Sequence, residues 1–176
     1  MKQLGTQAGF ALLITLVVIS IVLAVGLSLM QITLKQLQLT ITARDSEVAF
    51  YAANAGIECA QAVRNTIDPQ DTIPDRLNFN CFNNSESGTY SNSGNTHRYQ
   101  HESSWDTGIQ DICSEVSIFL LDARGGSYTY TFTNLGLESK TCPDGAICTV
   151  MFATGYNKAC EDIGGLQTVQ RELTIE

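Results

Sequence analysis

The sequence predicts an α+β protein in which one long N-terminal α-helix packs on a C-terminal antiparallel sheet of about four strands. Three observations carry that prediction. An uncharged apolar run, "GFALLITLVVISIVLAVGLSLM" from Gly9 to Met30, lies near the start of the chain. No proline follows until Pro69, and across that interval apolar residues recur at helical spacing. The last third alternates apolar and polar residues in short runs separated by turn signals.

The apolar run comes first. From Gln3 to Gln36 the only charge is Lys35. Phe10 to Met30 has the roughly 20 residues that span a bilayer core as a helix. A cleaved secretory signal is the competing reading, with Ala24-Val25-Gly26 as a small-x-small site. Against it, the run continues unbroken through Leu27-Ser28-Leu29-Met30, and a single lysine, Lys2, precedes it.

Beyond the run the helical pattern persists. Met30, Leu34, Leu37, Ile41, Val48, Tyr51, Ala55, Cys59 and Ala62 are mostly three or four apart and form one stripe, interrupted only by Arg44. Lys35, Gln38, Asp45, Glu47 and Asn54 fall off it. A helix from Phe10 to about Arg64 would be about 80 Å long at about 1.5 Å per residue. The stripe is the expected docking surface, both for the chain's own sheet and for neighbouring molecules. Ala49, Ala52, Ala53, Ala55 and Gly56 would let other backbones come close. A coiled-coil stalk is the alternative.

Charge and cysteines describe the remainder. The net side-chain charge is −8, but nine of ten basic residues and all eighteen acidic ones lie beyond the apolar run, which leaves that part at −9. Such a surface repels phosphate backbones, so direct nucleic-acid binding is not expected. Cys59, Cys81, Cys113, Cys142, Cys148 and Cys160 are even in number and lack zinc-site spacing. They read as disulfides of an exported domain. Cys142–Cys148 is the one pairing the sequence favours, because "CPDGAIC" closes a short turn through Pro143 and Gly145.

Asn65 to Asp111 is rich in Asn, Ser, Asp and Gly and reads as a long loop tied down by Cys81 and Cys113. Strand signals follow at Glu115–Ala123, Ser127–Asn134, Ile147–Thr154 and Thr168–Ile175, with Arg124-Gly125-Gly126 as the first turn. In the second run Tyr128, Tyr130 and Phe132 alternate with threonines. In the fourth, Val169, Leu173 and Ile175 share a side. The apolar face of such a sheet and the stripe of the helix can bury one another.

Catalytic or metal-binding sets are hard to find. His97 and His101 have i, i+4 spacing but sit in the polar segment, where solvated side chains are expected. Asp68, Asp71 and Asp75 lack the ligand order of a calcium loop. Asn83-Asn84-Ser85 is a formal glycosylation sequon. The chain reads as structural rather than enzymatic, with no cofactor expected.

The junction Gly9-Phe10, the helix running on from it, and "AFYAANAGIECA" from Ala49 to Ala60 together resemble the type IV pilin and pseudopilin family, most closely minor pilins of the PilX N-terminal type. The resemblance covers about the first third of the chain. It implies a pilin-like fold, a leader (1–9) removed by prepilin peptidase after Gly9, and N-methylation of Phe10. It also implies a membrane and assembly helix (10–31), an amphipathic half (32–64), an αβ-loop region (65–112) and a sheet with a cysteine-closed C-terminal region (113–176). Thr6-Gln7-Ala8 stands where the family often has a basic residue before the glycine. Ile14 stands where most major pilins carry a glutamate that pairs with a neighbour's amine, and a carboxylate inside hydrocarbon is retained only for such a purpose. Its absence resembles minor and tip-located subunits. The implied partners are other pilin subunits, the prepilin peptidase, the inner membrane and the assembly platform. The alternative is an extracytoplasmic binding domain, anchored or secreted, that is never polymerised.

Overall fold

The computed structural model describes residues 7–68, 71–82, 84–132, 139–164 and 170–175. The chain divides into two compact units, 1–43 and 44–176. A single α-helix, α1, runs from Gln7 to Arg64 and contributes to both. The expected span of Phe10 to about Arg64 is therefore correct at its C-terminal end and three residues short at its start. The last turn tightens into i→i+3 bonds: Thr66 N–H donates to Val63 O (3.1 Å) and Ile67 N–H to Arg64 O (3.1 Å). The unit boundary lies at Ala43/Arg44, not where the apolar run ends.

Within the second unit, residues 44–64 of α1 lie on a five-stranded antiparallel sheet of order β3-β4-β5-β8-β9. These strands are β3 (Thr89–Ser93), β4 (Thr96–Asp106), β5 (Asp111–Asp122), β8 (Ile147–Tyr156) and β9 (Gln170–Ile175). Two small ladders accompany it: β1 (Asn78–Cys81) with β2 (Asn84–Ser87), and β6 (Tyr128–Tyr130) with β7 (Lys140–Cys142). The α+β class and the helix-on-sheet arrangement agree with the sequence.

Two expectations require correction. The 65–112 segment is not a loop: it supplies β1 to β4 and the start of β5. Tyr99, His101 and Ser103 of β4 turn inward at alternate positions while Gln100, Glu102 and Ser104 face out. A core face made of Tyr, His and Ser carries no hydrophobic alternation to read. Second, the described part of the expected strand Ser127–Asn134, up to Phe132, does not join the main sheet. β5 is already paired along its length with β4 on one side and β8 on the other, so no edge is left for a hairpin return. The chain instead crosses the face away from the helix, where Tyr130 and Phe132 pack on Phe119, Val150 and Phe152. Thr133, Asn134, Thr168, Val169 and the side chains of Leu173 and Ile175 lie outside the described residues.

On the helix side, Ile118 and Leu120 of β5 and Met151 and Ala153 of β8 join Ile57, Ala60 and Val63 in the main core. Full burial of an Ile or Leu contributes about 1.5–3 kcal/mol, so these few side chains are a large part of what holds helix to sheet.

Candidate functional site

The helix is the candidate site, and its two parts differ. In the first unit every described side chain from Phe10 to Ala43 is exposed. Phe10 is 69% exposed, Ile14 45%, Leu34 51%, Leu37 60% and Ile41 53%. An 18-residue window here reaches a mean hydropathy of 3.0, and this is the one helix among the described residues long and apolar enough to cross a membrane. Hydroxyls in this part turn back onto the helix. Thr15 donates to Leu12 O (2.8 Å), Ser20 to Val17 O (2.7 Å) and Thr33 to Leu29 O (2.9 Å). A hydroxyl so satisfied can enter hydrocarbon without an unpaired donor. Gly9 lies inside α1, one residue before Phe10.

In the second unit the helix reaches the sheet through small residues. Ala49, Ala52, Ala53, Gly56, Ile57, Ala60 and Val63 are buried. A Cβ on Gly155 of β8 would fall 3.0 Å from the carbonyl carbon of Ala52 and closer still to Ala49 O and Ala53 N. A Cβ on Gly56 would meet Ser114 Oγ and lie 2.9 Å from Val116 Cγ2. Backbone approaches backbone here, which only Gly and Ala permit.

That geometry corrects the expected docking stripe. Of its members in this unit only Cys59 is buried; Val48 and Ala55 are half-buried, and Tyr51 (60% exposed) and Ala62 face away from the sheet. The sheet takes the adjacent alanine-rich face instead, because a stripe of bulky residues would hold helix and sheet apart. Phe50 and Tyr51 remain as an exposed aromatic pair, ring centroids 6.1 Å apart. Near them Asn54 Nδ2 donates to Glu58 Oε1 (2.9 Å).

All six cysteines form disulfides: Cys59–Cys81, Cys113–Cys160 and Cys142–Cys148. The favoured pairing is present. Cys81 ties to the helix and Cys113 to Cys160, so the two do not clamp one loop between them. The 142–160 segment is held by two separate bridges and is not closed on itself. Sequence spacing had no means of ranking these two, whereas register explains one of them. Cys113 pairs with Tyr156 across β5 and β8, and the chain turns back to place Cys160 beside it.

The histidines are not solvated loop residues. Both lie on β4; His101 is buried and stacks on Phe79 (4.5 Å between centroids, 12° between planes). His97 is half-buried, its Nδ1 2.8 Å from the Tyr90 hydroxyl. Burial lowers the His97 pKa, against the upward pull of Asp122 and Asp75. Asp68, Asp71 and Asp75 are exposed. Asn83 of the sequon lies outside the described residues. Among the described residues no group of three or more His, Cys, Asp or Glu is arranged to hold a metal ion.

The face of the sheet away from the helix carries a groove of about 500 Å³ lined in part by Arg98, Glu102, Glu115, Phe152, Thr154 and Glu172. Glu102 stands directly opposite Glu115 across β4 and β5. Tyr156 donates its hydroxyl to Glu115 Oε2 (3.1 Å), and burial, with Glu115 next, pushes its pKa up to about 12. Arg98 lies over the Phe119 ring at 5.2 Å.

No protein-family model matches the chain, and neither does any curated protein or solved structure.

Proposed function

We propose that the chain is a minor subunit of a type IV pilus or pseudopilus, made as a single-pass membrane protein and drawn into a filament by packing of its apolar helix against other subunits. The observation that carries this reading is the two-part helix. Its first part exposes apolar side chains throughout from Phe10 to Ile41, and its second docks an alanine-rich face on a disulfide-bridged sheet. A surface that apolar must be covered in use, by lipid before assembly and by other helices after it. The disulfides fit an oxidising compartment outside the cytoplasm. Phe10 is the processed and N-methylated end, and Ile14 is the position without an assembly carboxylate. In the first unit Leu34, Leu37 and Ile41 are offered to neighbours, and in the second the outward Tyr51 is. Other pilin-type subunits, a prepilin peptidase and an inner-membrane assembly platform are its partners.

A photo-crosslinking residue at Leu37 or Ile41, activated in intact cells, tests this directly. Adducts to the apolar helix of another subunit in sheared filaments support the reading. Adducts to lipid alone, with the chain absent from filaments, support an anchored domain that is never polymerised.

A further inference from the structure

The groove of about 500 Å³ on the sheet face away from the helix holds charge that the described residues do not balance. Strand register sets Glu102, Glu115, Thr154 and Glu172 in one row across β4, β5, β8 and β9. At about 4.8 Å between strands the row is about 14 Å long. Like charges directly opposite one another, as Glu102 and Glu115 are, destabilise a sheet. Among the described residues no Lys, Arg or His forms an ion pair with any of the three carboxylates. Tyr156 feels all three: its hydroxyl donates to Glu115, and its pKa, raised first by burial, is raised further by Glu115, Glu102 and Glu172. Arg98 brings the opposite charge, four residues back along β4 and so about 13 Å from the row. It lies over the Phe119 ring, and its Nε is buried without a hydrogen-bond partner among the described residues. Between the two ends lie Phe152, an apolar floor, and the polar Gln100 and Ser117.

We propose that this groove is a docking site for an extended segment of a partner protein, which lays basic side chains over the glutamate row and turns a carboxylate toward Arg98. Charge complementarity selects that occupant. A single ammonium ion answers one pair of carboxylates and leaves the rest of the row unmatched. A polyamine is long enough for the row, but Arg98 repels it and it has no carbonyl to offer Gln100 or Ser117. Nucleic acid is repelled by the three carboxylates. A peptide carries both signs and supplies amides between them. At about 3.3 Å per extended residue, four residues reach from the row to Arg98. The carboxylate is that of an acidic side chain or of the segment's own C-terminus. The site lies wholly within the second unit and is present whether or not the chain is polymerised.

Fluorescence anisotropy with the full chain in detergent tests the site. The probes are an array of labelled short peptides, each with two lysines, varied uncharged residues after them and a free C-terminal carboxylate. At least one should bind saturably. Glu102→Gln and Glu172→Gln, at exposed positions that the fold does not need, should each weaken it about tenfold, the loss of one charge-assisted contact. Glu47→Gln, at an exposed position on the helix, removes the same charge and should leave binding unchanged. Arg98→Gln should weaken the acid-ended peptide about tenfold and leave its C-terminal amide unaffected. Should Arg98→Gln not fold, the acid and amide peptides compared on the unaltered chain decide the same point. The proposal is overturned if no peptide in the array binds saturably, or if Glu47→Gln weakens binding as much as Glu102→Gln. It is equally overturned if acid and amide peptides bind alike, or if spermidine binds as tightly as the best peptide.

Discussion

Replacing Gly155 by alanine adds one methyl group at the closest approach of helix and sheet. The atoms it would strike, Ala49 O, Ala53 N and the Ala52 carbonyl carbon, are all backbone of α1 and cannot rotate away. The helix must therefore shift outward, loosening Ile57, Ala60 and Val63 from Ile118, Met151 and Ala153. Overpacking of this kind destabilises by about 1–3 kcal/mol, and rigid obstacles place Gly155→Ala at about 3. At about 4 °C per kcal/mol for a domain of this size, the melting temperature should fall by about 12 °C. Gly56→Ala should lose about 1–2 kcal/mol, because the side chains of Ser114 and Val116 can adjust. Gly125→Ala, with nothing within 4 Å, is the neutral control, within about 0.5 kcal/mol. Denaturant unfolding with the disulfides intact, followed by Trp105 fluorescence, measures all three. A Gly155→Ala protein as stable as the control would refute the backbone-contact account of docking.

Further outcomes follow from the bridges and from Tyr156. Paired Cys→Ser replacements should destabilise in order of the loop closed, about 4 kcal/mol for Cys113–Cys160, about 3 for Cys59–Cys81 and about 2 for Cys142–Cys148, because longer loops constrain the unfolded chain more. Unfolding of the three variants checks that order, and a reversed order contradicts it. In a tyrosine absorbance titration, Tyr156→Phe should remove a step near pH 12, and Glu115→Gln should move that step down. Since the Tyr156 pKa is raised on folding, its contribution to stability is complete below about pH 10 and is lost as pH climbs toward 12.

The parts of the fold legible in the sequence are those where one physical signal dominates. Phe10 to Met30 is uncharged, predominantly apolar and free of Pro, so the helix is plain, and β8 reads directly from "ICTVMFAT". The illegible parts are those where packing outweighs pattern. β4 turns Tyr99, His101 and Ser103 inward, where Phe79 and a backbone carbonyl supply partners that no local window contains. The helix face that meets the sheet escapes the pattern for a related reason. Hydrophobic periodicity selects the greasiest stripe, whereas contact with Gly155 selects the narrowest one, through Ala49, Ala52, Ala53 and Gly56. The alanines themselves were visible, and their capacity for close approach was the usable signal. The Cys142–Cys148 turn is local and could be read; Cys113–Cys160 depends on a register that only the assembled sheet sets.

The mature amino terminus bears most directly on the central claim that the apolar helix is kept and used for assembly. Mass spectrometry of the chain purified from its native host should find N-methylated Phe10 at the start. A mature protein beginning at Leu27 would mean that the helix had been discarded, and one still beginning at Met1 would mean an anchor never processed; either result contradicts the account.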